Sequence, residues 1–253
     1  METTYFTFVQ AGYIALTAIC LAFLLIGIRI TFNRMGLPAA VANKRMAIIT
    51  AALTVWLLCV STLSLMGVFS DFKSLPPKMF LAIIIPLIVI LWLTFSSATK
   101  RFFAAVPPGW MMAFQVFRVP VELFLWLQFL DGLTPVQMTF EGFNWDVLTG
   151  ITAPVFAYLC YGQGRHLRGL AIIWNLAGLV LVINIVVISI LSAPVPFRTF
   201  YNEPANTVVT QFPVILLPAV LVPLAYGMHL FSLRKALMEK KVSRTDLKSP
   251  SLA

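Results

Sequence analysis

Charge is the scarcest property of this sequence. Only 11% of its residues are Asp, Glu, Lys or Arg, whereas a soluble domain carries about 25%. With 60% hydrophobic residues and a mean hydropathy of +0.93, this excludes an ordinary soluble globular chain and points to a membrane. Cysteine is equally sparse. Cys20, Cys59 and Cys160 all fall in apolar runs; an odd count there excludes a disulfide framework and reads as small buried hydrophobes. The two histidines, His166 and His229, are too few for a haem or a multi-histidine metal centre. His229 reads as a satisfied buried histidine or a pH-responsive one. All eight lysines lie outside the interiors of the apolar runs, so a retinal-type Schiff base has no residue to form on. Walker A, HExxH and GxSxG patterns are absent. So is an internal repeat, and with it the inverted-repeat signature of many transporters.

Apolar sequence is what the chain has in quantity. Seven stretches run over roughly 8–30, 46–70, 79–98, 110–130, 147–161, 169–192 and 212–233, and most reach the about 20 residues that a spanning helix needs. The expected fold is all-α: a polytopic membrane protein, a seven-transmembrane-helix bundle over 1–234, followed by a basic, disordered tail over 235–253. The first stretch has Glu2 ahead of it, no basic flank and no small-residue cleavage site, so it is expected to stay as a helix. The fifth is short: its 15 residues between Asp146 and Gly162 make about 22 Å of helix against a hydrocarbon core of about 30 Å. Either it stops short and leaves a depression, or it starts near Phe140 and carries Glu141, Asn144 and Asp146 into the membrane. Pro86 predicts a kink in the third stretch. In the last, Pro213 fits a helix start. Pro218 and Pro223 predict a bent or broken helix whose freed carbonyls must face protein or a watery cavity.

The net charge of +9 suggests nucleic acid until its distribution is examined. With the N-terminus outside, the cytoplasmic segments hold fourteen Lys and Arg against two acids, Glu239 and Asp246. The outer segments then hold three bases (Lys73, Lys78 and Arg198) against six acids. That asymmetry is the positive-inside pattern. It predicts a cytoplasmic C-terminus and no nucleic-acid partner. The tail from Leu233 to Lys248, which includes Arg234 and Lys235, is expected to touch anionic lipid headgroups.

Against this background two ionisable groups stand out inside the fourth stretch, Arg118 and Glu122, with Pro120 between them. Each costs roughly 2.5–3.5 kcal/mol at mid-membrane on insertion scales, so the pair needs a reason. Gln115, Arg118, Glu122 and Trp126 share one helix face, which should point into the bundle. A base preceding the acid is the weaker order for a helical pair, so partners on other helices are expected: Asn175, Asn184, Tyr158, Tyr226 and His229. One reading is a self-neutralising pair that locks helices together. The other is a pocket in which Arg118 holds an anion or carboxylate and Glu122 balances that charge or carries a proton. The outer acids Asp131, Glu141 and Asp146 match no cation-ligand spacing and read as solvated charge, with Glu141 notable among aromatics. No metal site and no particular cofactor is implied.

The segment FRVPVELFLWLQFLDGLTPVQMTFEGFNWDVLTGITAP looks like one found in small bacterial integral membrane proteins, in which an Arg-x-Pro-x-Glu run precedes a Met-Thr-Phe-Glu-Gly loop. That pattern carries no assigned activity. It implies that Arg118, Glu122 and Glu141 form one unit, in a multi-pass protein of the bacterial inner (cytoplasmic) membrane. The leading expectation is a pocket opening outward between the fourth and seventh stretches, with Arg118 and Glu122 at its floor and Glu141 and Asp146 at its mouth, binding or passing a small solute or ion. The alternatives are a structural or accessory subunit with a membrane-protein partner or a second copy, and a membrane enzyme acting on a lipid or isoprenoid.

Overall fold

The computed structural model describes residues 4–107 and 109–238. The chain is helical throughout (76% helix), with no strand among the described residues. Its helices are α1 (Phe6–Arg34), α2 (Ala39–Leu65), α3 (Phe80–Phe95), α4 (Lys100–Ala105), α5 (Trp110–Ala113), α6 (Arg118–Leu130), α7 (Val147–Tyr161), α8 (Arg168–Ser192) and α9 (Val222–Met238). Five helical segments are long and apolar enough to cross a membrane: α1, α2, α5 with α6, α8, and Leu217–Met238. A sixth is obtained if α3 is joined to Ser97–Ala105 across a 68° bend. All seven apolar stretches are helical, but by length they amount to five or six spans. α7, with 15 residues, falls short. Glu2 and the basic tail beyond Met238 lie outside the described residues.

Two ends of the bundle can be distinguished. The loop end gathers residues 66–79, 131–146 and 193–216. The opposite end gathers the segments 35–38, 96–107 and 162–167. At the loop end, the carboxylate of Asp131 accepts hydrogen bonds from the backbone N–H groups of Thr4 and Tyr5, at 3.0 and 2.8 Å. These donors at the start of α1 have no partner within their own helix, so Asp131 is an N-terminal cap rather than free charge. Lys78 pairs with Asp71 at 3.0 Å; this hydrogen bond, with one from the Ser74 backbone, holds the exposed Asp71 carboxyl below its usual range.

The opposite end is fastened by Arg234 and Lys235. α3 runs through Pro86 as one helix, and the large bend comes at Ser96. There the Arg234 guanidinium donates to the carbonyls of Leu93 (2.9 Å), Thr94 and Ser96 (2.7 Å) and to Thr99 Oγ1 (2.9 Å). It also stacks over the Phe103 ring at 4.9 Å. Lys235 Nζ donates to the carbonyls of Phe103 and Ala104, at 3.2 and 3.1 Å, at the end of α4. A helix C-terminus leaves carbonyls unpaired and favours a cation, so each base caps one broken helix. This corrects the assignment of both residues to a lipid-facing tail: α9 continues to Met238, and Lys235 is buried.

The segment before α9 is not an ordinary helix. Leu217–Leu221 forms a π-turn around Pro218, which leads directly into α9 and its Pro223. Proline at 223 cannot donate to the carbonyl of Ala219. That carbonyl instead accepts from Trp56 Nε1 of α2 at 2.9 Å. The interruption expected from the proline spacing is therefore present, and one carbonyl it frees is paired inside the protein, as a bilayer requires. Arg234→Ala should lower the unfolding free energy in detergent by about 1.5–3 kcal/mol, the worth of hydrogen bonds to a buried-side charge. Arg234→Lys should recover little, because one ammonium cannot reproduce the fork; wild-type stability in the alanine variant would mean that the clamp is idle.

Candidate functional site

The site is built around Arg118, the first residue of α6. A short 3-10 stretch, Phe114–Phe117, separates α5 from α6, and Pro120 occupies the first turn of α6, where its missing N–H is tolerated. α6 then rises for 13 residues to Leu130, about 18 Å from the Arg118 level to the loop end. The 131–146 loop comes back down that distance against the bundle. Its hydrogen bonds are internal and interhelical: Thr134 to Gln128 at 3.0 Å, Gln137 to Ser192 at 2.9 Å, and Asn144 to the Met138 carbonyl at 3.0 Å. Of the loop's large apolar side chains Met138 is buried, while Phe140, Phe143 and Trp145 stay exposed. This re-entry accounts for the short α7, which begins at the depth of Arg118. The sequence left two outcomes open for α7, and the one realised combines a short helix with Asp146 carried inward, while Glu141 stays at the loop end.

The loop delivers Asp146 to Arg118. Arg118 Nε donates to Asp146 Oδ2 at 2.6 Å, and Arg118 Nη2 pairs with Asp146 Oδ1. This is the two-pronged geometry that guanidinium and carboxylate favour. Asp146 precedes the first turn of α7 but does not cap it with its side chain; the carboxylate is given to Arg118. The expected ion pair within α6 is thus replaced. Glu122 joins none of the ion pairs among the described residues. Its Oε2 accepts from Asn144 Nδ2 at 2.6 Å, and Asn144 Oδ1 accepts from the Asp146 backbone N–H at 3.1 Å. One Asx turn therefore holds both acids in place.

The third prong of Arg118 reaches α9. Arg118 Nη1 lies 3.0 Å from His229 Nε2, and His229 Nδ1 lies 3.0 Å from Asn175 Oδ1. A guanidinium can only donate, so Nε2 is the acceptor and the imidazole is neutral with its proton on Nδ1, donated to Asn175. Asn175 Nδ2 in turn donates to the Ala171 carbonyl at 2.7 Å and to Ser232 Oγ at 3.0 Å. Gln115 Nε2 donates to the Ala225 carbonyl of α9 at 2.9 Å. Arg118 and Glu122 are each 1% exposed, His229 and Gln115 fully buried. Two glycines permit the close approach. A Cβ on Gly178 of α8 would stand 2.3 Å from His229 Cε1, and one on Gly150 of α7 would stand 2.9 Å from Val119 N. Small residues at such crossings are what bring membrane helices together.

Arg118, Glu122, Asp146, Asn175 and His229 thus form one buried cluster joined through Asn144, while Gln115, buried one turn before Arg118, bonds to the α9 backbone instead. The remaining expected residues lie elsewhere. Glu141 is at the loop end and accepts from Trp126 Nε1 at 2.7 Å. Asn184 donates to the Phe143 carbonyl at 2.8 Å. The Tyr226 hydroxyl faces the Ile83 carbonyl at 3.4 Å. Tyr158 points out of the bundle, 54% exposed. Asp146 belongs to the floor of the site, not its mouth. Sequence reasoning misses Ser232 and Gly178, and it names Asn144 only as a residue that a longer fifth helix would carry inward; the Asn-x-Asp spacing immediately before a helix is the available signal for its role.

Beside Glu122 is a cavity of ≈ 50 Å³, lined mainly by apolar side chains of α6, α8 and the π-turn, with Glu122, Asp146 and Ser189 as its polar walls. One water needs at least about 10–15 Å³, so the space suits a few waters, not a solute of the 300–1,000 Å³ class (a rough range for ligand pockets). Comparison with protein-family models, curated proteins and solved structures finds no match.

Removing one member of a buried ion pair strands the other. Arg118→Met should therefore cost about 3–5 kcal/mol of stability. The double variant Arg118→Met with Asp146→Leu should cost less than Arg118→Met alone, and Glu122→Gln should cost much less than either. Denaturation of the set in detergent checks this; equal damage from Glu122→Gln and Arg118→Met would contradict the assignment of Asp146 as the partner. Gly178→Ala should cost about 1–3 kcal/mol by displacing the imidazole.

Proposed function

We propose that this is a bacterial inner-membrane protein of seven crossings, N-terminus outside and C-terminus cytoplasmic, that binds or passes a small solute or ion at the Arg118 cluster. The orientation rests on the excess of Lys and Arg in the segments between crossings. The seventh crossing is α7, its missing length supplied by the re-entrant 131–146 loop. In this orientation the loop end is outer, and α6 with its loop forms one unit, joined through Asn144 and Asp146.

The observation that carries the reading is a buried arginine, deep in the helices, bonded to Asp146 and His229 with a small cavity alongside. Ionisable groups within a membrane span are rare and read by default as marking pathways and binding sites. The cavity's size supports an ion, or a solute admitted only after rearrangement. The π-turn at Leu217–Leu221 forms one wall of the cavity, and such turns are frequent at functional sites.

A second reading has an observation of its own. The most apolar window of α2 is only 6% buried, a long face open to lipid, a second copy or another membrane protein. That supports an accessory subunit. An enzyme acting on lipid or isoprenoid has less behind it, since both ring nitrogens of His229 are committed, to Arg118 and Asn175, and the nearby Ser232 hydroxyl bonds to Asn175.

Thermal stability in detergent, measured against a panel of ions, carboxylates, amines and lipids, tests the proposal. A ligand at 100 times its Kd should add about 2.7 kcal/mol to the wild type. Glu122→Gln and Arg118→Lys should abolish the shift. If no ligand moves either the wild type or the variants, the accessory-subunit reading takes precedence.

A further inference from the structure

The cluster contains one more acid than base. Arg118 is matched by Asp146, and His229 is neutral by its hydrogen bonds, so Glu122 has no cation of its own among the described residues. We propose that the ion taken up by this site is a proton, held on the carboxyl of Glu122 and exchanged through the cavity beside it. This rests on the reading of the cluster as a binding site and names its ligand.

Four observations support it. Glu122 is 1% exposed and its carboxylate forms no ion pair among the described residues. An isolated carboxylate is costly to bury, and neutralisation by a proton removes that cost. The groups facing Glu122 offer no competing neutraliser: Tyr13 from α1 and Asn144 from the loop are uncharged, Arg118 one turn away is engaged, and Asp146 adds negative charge. The cavity that Glu122 lines extends toward the loop end, past Leu125 of α6 and Ser189 near the end of α8, and can hold a short water file. Finally, a metal cation collects about six or more oxygens, whereas among the described residues Glu122, Asp146 and Ser189 are the polar ones lining the cavity, and no cluster of three His, Cys, Asp or Glu suited to a metal exists there. A proton needs one oxygen. In the uptake step a hydronium in the cavity donates to the carboxylate, an O–H bond forms on Glu122, and neutral water remains. Leu217 and Pro218 of the π-turn and Val222 at the start of α9 line the same cavity.

Infrared difference spectroscopy of the full-length protein in lipid vesicles, stepped in pH and repeated in D₂O, tests this. A protonated-carboxyl band is expected in the wild type. It should be lost in Glu122→Gln, displaced in Glu122→Asp, retained in Asp146→Asn, and shifted after transfer to D₂O. Absence of the band at every pH overturns the proposal, as does a band lost in Asp146→Asn but kept in Glu122→Gln. A Glu122 band that never shifts in D₂O also overturns it, because the proton is then locked in place. A ligand-induced thermal shift without this band would remove the proton and leave the binding site standing; the band without any ligand shift would do the reverse.

Discussion

Taking a guanidinium out of water is the constraint on which this fold turns. Arg118 has five N–H donors and no acceptor, and at its depth only protein can satisfy them. Three neighbours are drawn in for that purpose: Asp146 on the chain entering α7, His229 on α9 and, through the imidazole, Asn175 on α8. The loop cannot stay at the surface, because Asp146 has to travel inward. α7 cannot be full length, because it starts where Asp146 ends. α8 cannot carry a side chain at Gly178, because the imidazole occupies that space. Several features that look independent in the sequence are thus consequences of one buried cation.

The prolines act alongside this centre. Pro120 is accommodated in the first turn of α6, so the chain can carry Arg118 at a helix start. Pro218 and Pro223 loosen the start of α9, and the carbonyl of Ala219 is taken by Trp56. Below that region α9 becomes regular, carries His229, and ends in Arg234 and Lys235, which close the ends of α3 and α4. A single helix therefore has an irregular upper part facing the cavity, a polar middle bonded to Arg118, and a basic lower end that clamps its neighbours. Any movement of the upper part is transmitted through backbone anchored at both other points.

The helical content and apolar segments were legible because composition and run length are local properties. So was the interruption of the last span, since proline acts on its own turn. The importance of Arg118 and Glu122 was legible too, because charge is conspicuous in an apolar run. Their partnership was not. Spacing of four on a helix places two side chains on one face, and nothing local says that a loop residue 28 positions on from Arg118, Asp146, will reach in and take the arginine. Hydropathy is likewise blind to where a helix stops or bends, and the 15-residue α7 and the 68° bend after α3 are why seven apolar stretches yield five or six spans by length. Arg234 and Lys235 resemble an orienting basic tail in sequence; that they cap helix ends depends on a bend at Ser96 which no residue there demands by itself.

The cluster divides by how tightly its parts are held. Arg118, Asp146, His229 and Asn175 are linked to one another in a continuous chain of contacts, and moving any one leaves a buried donor or acceptor unpaired, at a cost of about 1–3 kcal/mol for each neutral group and more for a charge. That part of the site is rigid. Glu122 is held by a single donor, Asn144, and borders the open space and the π-turn. Rigidity on one side and latitude on the other is what a binding centre needs: a fixed charge that sets the field, and a neighbouring group whose state can change without dismantling it. A pair serving only to glue α6 to its neighbours would have no use for a second acid, since Asp146 already neutralises Arg118. The surplus carboxyl beside a water-sized cavity is what packing alone does not explain.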